Sequence, residues 1–207
     1  MSVIFNVFQP GLIYGSETNE FDGIKRDYAY VEHPIEGWRV FLRVCVFIHE
    51  AGRVFDPLRF LVVKRRGTSP SSMSWEPPKG RAEGKDMKNN NVLDLLGITA
   101  IRETQEESHI LHLKSLLHTG YAFQSQEMDY RPNVFFQYHI FQVFVEPTEI
   151  AHADQKFTWI SEHPRAFARF RPERREKDDL AWFDPKRTRL CKRWAPSIVS
   201  MYIQSQS

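Results

Sequence analysis

The alternation of apolar and polar positions predicts strands on both sides of one central helix. Runs rich in β-branched and aromatic residues predict strands over residues 39–49, 58–65, 111–123, 134–145 and 157–160. Residues 92–109 predict a helix packed on a sheet, because apolar residues recur there at helical spacing, at Val92, Leu95, Leu96, Thr99, Ala100 and Ile101. Residues 161–170 predict the start of a helix, and residues 190–204 predict a terminal helix with Pro196 in its first turn or at a kink. Strands around a central helix predict a mixed α/β layer structure.

The N-terminal part of the chain carries turn signals rather than a strand or helix pattern. These signals stand at Pro10-Gly11, Gly15-Ser16 and Gly37, so residues 1–37 predict an irregular extension. Residues 38–207 then form the main domain, with loops over residues 67–74 and 81–91. A length of 207 residues suits one domain with such elaborations.

Three carboxylates share one face of the predicted central helix. Glu103, Glu106 and Glu107 are spaced i, i+3 and i+4, and like charges at this spacing repel by roughly 0.2–0.5 kcal/mol per pair. Clustered carboxylates suit a hard divalent cation, since Mg²⁺ and Mn²⁺ prefer oxygen ligands. Arg102 lies four residues before Glu106, close enough to orient that carboxylate. The run therefore predicts a metal-binding helix.

The net charge of +2 excludes little, but basic residues are dense between positions 165 and 193. They are Arg165, Arg169, Arg171, Arg174, Arg175, Lys177, Lys186, Arg187, Arg189, Lys192 and Arg193. Such a segment suits polyphosphate or RNA. Intervening acids offset the charge and favour a solvated surface instead; they are Glu173, Glu176, Asp178, Asp179 and Asp184.

The compartment is predicted from what the sequence does not contain. Cys45 and Cys191 lie far apart and suggest neither a metal-spaced pair nor a disulfide framework, which fits a reducing compartment. No apolar run approaches the roughly 20 residues that span a bilayer, and no signal-peptide pattern opens the chain. We therefore expect a soluble cytoplasmic protein that does not contact membranes.

Together with W-E-P-P-K-G at residues 75–80, the glutamate run resembles the Nudix hydrolase signature G-x5-E-x7-R-E-U-x-E-E-x-G-U, where U is a bulky aliphatic residue. The matching residues are Gly80, Arg102, Glu103, Glu106, Glu107 and Ile110. The resemblance covers about residues 39–170. It implies the Nudix fold, an α/β/α sandwich around a mixed β-sheet.

The chain departs from this signature in three places. Asp86 stands where the signature has its first glutamate, and fifteen residues separate it from Arg102 instead of seven. Asp94 lies eight residues before Arg102, in the signature's register, and is the alternative for that role. Loop-closure entropy grows slowly with length, so the insertion is tolerated. His109 replaces the closing glycine, where a positive φ is usual, and predicts some strain at the end of the helix.

The resemblance implies an enzyme that hydrolyses a phosphoanhydride bond in a nucleotide or dinucleotide polyphosphate. Glu103, Glu106 and Glu107, with the carbonyl of Gly80, would hold Mg²⁺ or Mn²⁺. The general base would be Glu106 or Glu107, with Asp154 as the second candidate. Several residues are predicted to contact substrate: Lys79 and Arg81 by clamping phosphates, Tyr121 and Tyr138 as walls for a base, and Arg43 by pairing with a phosphate or, equally, a neighbouring carboxylate.

The substrate stays open between three subgroups. Residues 75–80 and 102–107 resemble asymmetric diadenosine tetraphosphate hydrolases most closely. The tryptophan-containing motif is also similar to that of Nudix enzymes that remove messenger RNA caps, and the basic C-terminal segment suits RNA. Diphosphoinositol polyphosphate hydrolases are the third alternative. A Nudix-like binding module without catalysis would be expected to have a damaged glutamate helix, which this chain does not have. The sequence does not predict an oligomeric state.

Overall fold

Over residues 4–21, 24–88, 91–128 and 130–206, which the computed structural model describes, the chain forms nine strands and four helices. The strands are β1 (Ile13–Phe21), β2 (Ile24–Glu32), β3 (Arg39–Glu50), β4 (Leu61–Arg65), β5 (Trp75–Glu76), β6 (Lys79–Arg81), β7 (Ser115–Ser125), β8 (Val134–Val145) and β9 (Lys177–Trp182). The helices are α1 (Val92–Ser108), α2 (Pro147–Glu162), α3 (Pro164–Phe167) and α4 (Ala195–Ser205). Short 3₁₀ turns cover Gly84–Asp86 and Pro172–Arg175.

Two units share the chain, and each is built from three separate segments. The first unit consists of Met1–Cys45, Gly80–Ala100 and Gly120–Ile140, and the second of Val46–Lys79, Ile101–Thr119 and Phe141–Ser207. Strands β3, β6, β7 and β8 and helix α1 continue from one unit into the other. The division into an extension over residues 1–37 and a main domain over residues 38–207 stays a prediction.

The N-terminal part of the first unit is a pair of antiparallel strands, and the prediction of an irregular segment was wrong. β1 and β2 pair from Ile13↔Glu32 onward, and β2 pairs with β3 at Tyr30↔Phe41. Ala29 and Val31 are fully buried, so the second strand contributes to the core. The sequence did not predict β1 as a strand, because most of its side chains, including Glu17 and its neighbours, are polar.

The long strands β3 and β8 run parallel. The N–H of Arg39 donates to the carbonyl of Asn133 at 2.9 Å, and the N–H of Ala51 donates to the carbonyl of Val145 at 2.8 Å. The first bond joins the start of β3 to the start of β8, and the second joins their ends, so the two strands run in the same direction. The pairs β1–β2 and β2–β3 are antiparallel. β3 is buried along nearly its whole length, which explains its continuous apolar sequence. The mixed sheet with helices confirms the predicted α/β class.

In the second unit, β4 lies between β5 and β9. It pairs antiparallel with β5 at Val63↔Glu76 and with β9 at Val63↔Leu180. Strand β9 was not predicted, because its sequence K-D-D-L-A-W lies in the charged C-terminal segment. Its position matters for function, since Lys177 at its start is buried.

Helix α1 confirms the prediction over residues 92–109. The side-chain oxygen of Asn91 accepts the N–H of Leu93 at 2.9 Å and of Asp94 at 3.3 Å, and so caps the first turn. At the other end, His109 has φ +58°, the left-handed conformation expected where the signature has glycine.

The predicted strand over residues 157–160 was wrong, because this segment lies inside helix α2. Its buried residues Ile150, Ala153, Phe157 and Ile160 follow the helical period over a longer window than the four-residue run. Helix α3 falls within the predicted helical segment 161–170, and α4 starts with Pro196 in its first turn. None of the described helices is long and apolar enough to cross a membrane.

Candidate functional site

The three glutamates lie on the last two turns of α1, in the second unit. Arg102 bridges two of them: its Nη1 is 2.7 Å from Oε1 of Glu103 and 3.0 Å from Oε2 of Glu106. The contact expected between Arg102 and Glu106 is therefore present. Glu106 is the more accessible carboxylate, with a side chain that is 18% exposed, whereas the side chain of Glu103 is 10% exposed.

Glu107 is held by a second set of contacts. The backbone N–H of Lys79 donates to its Oε2 at 2.9 Å, and Nζ of Lys177 lies 3.0 Å from its Oε1. Lys177 also donates to Oε1 of Glu76, and Nζ of Lys79 lies 3.1 Å from Oε2 of Glu76. Strands β5, β6 and β9 thus contribute one charged residue each to a buried network that ends on α1.

Burial sets the charge balance of this network. It raises the pKa of Glu103 to about 8; the nearby Arg102 opposes this shift, whereas Glu107 and Glu106 add to it. The pKa of Glu107 is also raised by burial, against the attraction of Lys177. Burial of Glu76 is outweighed by Lys79 and Lys177, which hold the pKa of its carboxyl down at about 2. Glu103 and Glu107 on α1 therefore have less positive charge nearby than is needed to keep both carboxyl groups ionised.

The donor chemistry of α1 suits a hard divalent cation, because the helix carries three carboxylates and burial disfavours uncompensated negative charge at Glu103 and Glu107. Within the part of the chain that the structure describes, no three His, Cys, Asp or Glu side chains are arranged to hold an ion as they stand. Arg102 and Lys177 instead contact the carboxylate oxygens. The residues fit the charge of the ion, and the glutamate helix stays a predicted metal site.

Of the other predicted site residues, Arg43 lies in the first unit and is buried. Its Nη2 donates to Oε1 of Glu127 at 2.8 Å and to the hydroxyl of Tyr130 at 2.9 Å, and its guanidinium lies 4.0 Å from the centre of the Phe136 ring. Burial lowers the pKa of Arg43, but Tyr138, Tyr130 and Glu127 together raise it above its usual value. The partner of Arg43 is thus a carboxylate, one of the two alternatives that the sequence left open.

Tyr138 and Tyr121 occupy different environments. Tyr138 is buried, and its hydroxyl lies 3.4 Å from Nη1 of Arg43. Tyr121 on β7 is 44% exposed. Arg81 stacks on Tyr28 at 4.5 Å and lines a cavity of about 140 Å³ together with aromatic residues of the first unit. Contact of these side chains with a substrate stays a prediction.

Asp86 and Asp94, the two alternatives for the signature's first acid, differ in burial. Asp86 is buried, and its Oδ2 accepts the N–H of Glu83 at 3.1 Å and the hydroxyl of Thr99 at 3.3 Å. It thereby ties the preceding turn to helix α1, while Asp94 is exposed in the first turn of that helix. Gly80 lies in strand β6, as the first residue of its segment in the first unit.

Asp154, the second candidate for the base, lies on helix α2 and is exposed. Partial burial and the charge of Asp179 raise the pKa of its carboxyl. Asp154 belongs to α2, and Asp179 belongs to β9. The role of Asp154 as a base stays a prediction.

Sequence reasoning missed the two residues that complete the buried network, Glu76 and Lys177. Glu76 stands inside the motif W-E-P-P-K-G, where a charge between two apolar residues was a usable signal. Lys177 carries no local signal, because it is one of many basic residues in its segment. Its importance follows only from its pairing with Glu76 and Glu107 across strands β9 and β5 and helix α1.

Several solved structures are similar to the chain, among them the following two. A NUDIX hydrolase from Nitrosomonas europaea is 16% identical over 80% of this chain and 86% of its own, with a TM-score of 0.41. A C. elegans Ap4A hydrolase in a binary complex is 17% identical over 80% of this chain and 93% of its own, with a TM-score of 0.38. No model of a protein family and no curated protein matches the chain. At these identities and TM-scores, the two structures do not establish a family or a function.

Proposed function

We propose that the chain is a metal-dependent Nudix pyrophosphohydrolase that cleaves a phosphoanhydride bond in a nucleoside or dinucleoside polyphosphate. The observation that carries this proposal is the R-E-x-x-E-E run on the last two turns of α1, where Glu103 and Glu107 are buried. Carboxylates at that spacing repel one another and burial raises the pKa of Glu103 to about 8, so the cluster favours a bound cation. W-E-P-P-K-G upstream supplies the leading glycine of the signature, Gly80.

Each residue of the helix has a stated role in this proposal. Glu103, Glu106 and Glu107 would hold Mg²⁺ or Mn²⁺, and the carbonyl of Gly80 would add one further oxygen ligand. When bound, the ion supplies a Lewis acid that neutralises phosphate charge and lowers the pKa of a coordinated water. Arg102 orients the first two carboxylates, as its contacts at 2.7 Å and 3.0 Å support.

Glu106 is the preferred proton acceptor. Its side chain is the more exposed of the two that Arg102 contacts, and that contact uses only its Oε2. Glu106 accepts the proton as the water oxygen bonds to phosphorus, and the bridging P–O bond breaks with its electron pair on the leaving phosphate. Glu107, whose two oxygens are both engaged, is the alternative, and Asp154 is the second candidate.

The cation dependence is tested by thermal unfolding in increasing Mg²⁺ or Mn²⁺. A ligand that binds only the folded state at 100 times its Kd stabilises by about 2.7 kcal/mol, so the Tm of the wild type is expected to rise. Glu106→Gln/Glu107→Gln is expected to lose this rise, while Glu162→Gln, on the exposed end of α2, is expected to keep it. A Tm that ignores both ions would contradict the metal site.

The reaction is tested by product analysis with diadenosine tetraphosphate, capped RNA and a diphosphoinositol polyphosphate in parallel. Release of ATP and AMP would support a dinucleoside polyphosphate hydrolase, and release of a methylated guanosine diphosphate would support decapping. Glu107→Gln is expected to lower the rate by roughly 10²–10³, the loss typical when one group that stabilises transition-state charge is removed. Equal cleavage by Glu107→Gln and wild type would refute the assignment.

A further inference from the structure

A cleft of about 770 Å³ opens in the second unit beside the end of α1, along α2 and the segment after α3. Four basic side chains line it: Lys156, Arg169, Arg171 and Arg174. The three arginines are exposed, and Lys156 is half-buried. The lining contains no Asp or Glu. The cleft is therefore a concave surface of one charge sign.

None of these four cations forms an ion pair with a carboxylate of the described residues. Two of the acids that offset the basic segment along the sequence are engaged outside the cleft. Asp178 pairs with Lys64 at 2.5 Å and accepts the N–H of Gly67 at 2.8 Å, and Asp184 lies 3.9 Å from Arg187. None of the five acids of the basic segment lines the cleft, so the charge balance along the sequence places no carboxylate among its four cations.

Two further features of the cleft suit a ligand rather than bulk water alone. The ring of Phe170 lies 4.9 Å from Nζ of Lys156 and stacks on Trp159 at 6.0 Å, so a flat apolar surface adjoins the charges. His109 also lines the cleft, and its Nε2 is buried with no hydrogen-bond partner among the described residues. A ligand oxygen or N–H would satisfy this atom.

We propose that this cleft binds a linear anion with several phosphate groups. Unpaired arginines bind phosphate oxygens in bidentate fashion, and four cations around one cleft match successive groups rather than a single ion. The aromatic surface formed by Phe170 suits a base stacked beside that chain. The shared chemistry is a phosphate chain, whose source is either inorganic polyphosphate or the backbone of a single nucleic-acid strand. The inference does not depend on the proposed hydrolysis.

The test measures binding of inorganic tripolyphosphate by calorimetry and of a fluorescent single-stranded oligouridylate by anisotropy, with EDTA present so that divalent ions play no part. Arg171→Ala/Arg174→Ala is expected to weaken binding of both probes by about tenfold or more, since two charge-assisted contacts are lost. For the oligouridylate, the slope of log affinity against log salt is expected to fall by roughly 1.4.

The matched control is Arg165→Ala/Lys192→Ala, which removes the same charge from two exposed residues outside the cleft. Its affinity for both probes is expected to stay within twofold of the wild type. An equal loss in this control, or no binding of either probe by the wild type, would overturn the proposal. Glu107→Gln is expected to bind both probes as the wild type does, so the failure of hydrolysis and the failure of this cleft are distinguishable.

Phe170→Ala separates the two sources of the ligand. If the cleft takes a nucleic-acid strand, this variant weakens oligouridylate binding about tenfold and leaves tripolyphosphate binding unchanged, because only the oligonucleotide has bases to stack. An unchanged affinity for both probes assigns the cleft to inorganic polyphosphate. Weakened binding of tripolyphosphate alone would overturn the assignment of Phe170 to the site.

Discussion

Lys177 neutralises two buried carboxylates at once, and this gives a single residue a large share of the local stability. Lys177→Met would leave Glu76 and Glu107 buried without their shared cation, at a cost of about 3–5 kcal/mol of unfolding free energy. Urea denaturation measures the loss. Glu76 keeps its contact with Nζ of Lys79 at 3.1 Å, so the double variant Glu107→Gln/Lys177→Met, which also removes the other carboxylate, is expected to cost less than Lys177→Met alone. A larger cost for the double variant would rule out this explanation.

His49 makes stability depend on pH in the acidic range. It is buried, its Nδ1 lies 2.9 Å from the carbonyl of Arg59, and its Nε2 lies 2.6 Å from the hydroxyl of Tyr202. Burial lowers the pKa of His49 to about 4, from an ordinary value of 6.5. The unfolded chain therefore binds more protons than the folded one between these two values, so stability is lost as pH falls from about 6.5 towards 4.

The expected loss from His49 between pH 7 and pH 5 is on the order of 2 kcal/mol of unfolding free energy. Chemical denaturation at both pH values measures it. His49→Gln is expected to shrink the difference by that amount, although it does not abolish it, because burial also lowers the pKa of His109 to about 4. The exposed His112→Gln serves as control and should retain the wild-type difference. An unchanged pH dependence in His49→Gln would contradict the role of burial.

At this scale, sequence reasoning found the residues whose chemistry is local. The spacing of Glu103, Glu106 and Glu107 along the sequence identified them as candidate ligands. Arg102 was identified because it lies four residues before Glu106. Residues that act through long-range pairing were not found. Glu127, the partner of Arg43, lies 84 residues away along the chain, and no periodicity signals such a pair.

The end of helix α1 carries backbone strain that a glycine would relieve. His109 has φ +58°, and its ring packs against Phe157 with centroids 5.0 Å apart. His109→Gly and His109→Ala both lose that packing, but only glycine adopts positive φ without a Cβ clash. We therefore expect the glycine variant to be more stable than the alanine variant by about 1 kcal/mol, measured by thermal or urea unfolding. Equal stability of the two variants would show that the strain is absorbed elsewhere.

Among the elements, long apolar patterns were predicted well and short or polar ones were not. Strand β8 agrees with its prediction at both ends, because nine of its twelve residues are apolar or aromatic and no turn residue interrupts them. The four residues F-T-W-I at positions 157–160 suggested a strand, yet they belong to a helix of 16 residues whose signal extends back to Pro147. β1 was missed for the opposite reason, since a strand paired with β2 alone can be largely polar.

For the whole molecule, the N-terminal residues are expected to be necessary for folding. Removing residues 1–33 would take away β1 and β2 and with them the buried side chains of Tyr28, Ala29 and Val31. The backbone of β3 would lose its partners at Tyr30↔Phe41 and Val31↔Val40. Circular dichroism of the truncated chain should show loss of the cooperative transition at temperatures where the full chain is folded. A truncated protein with wild-type melting behaviour would restore the view of this segment as an extension.

The division of each unit into three segments has a consequence for how the protein emerges from the ribosome. The first unit is incomplete until Ile140 has been translated, and at that point the second still lacks its last segment, Phe141–Ser207. Early segments, including the apolar strand β3, must therefore wait for partners that are made much later. Such delayed pairing exposes unpaired strand edges, which favours aggregation of nascent chains. Efficient production of this protein should accordingly depend on slow translation or on chaperones that shield its first half.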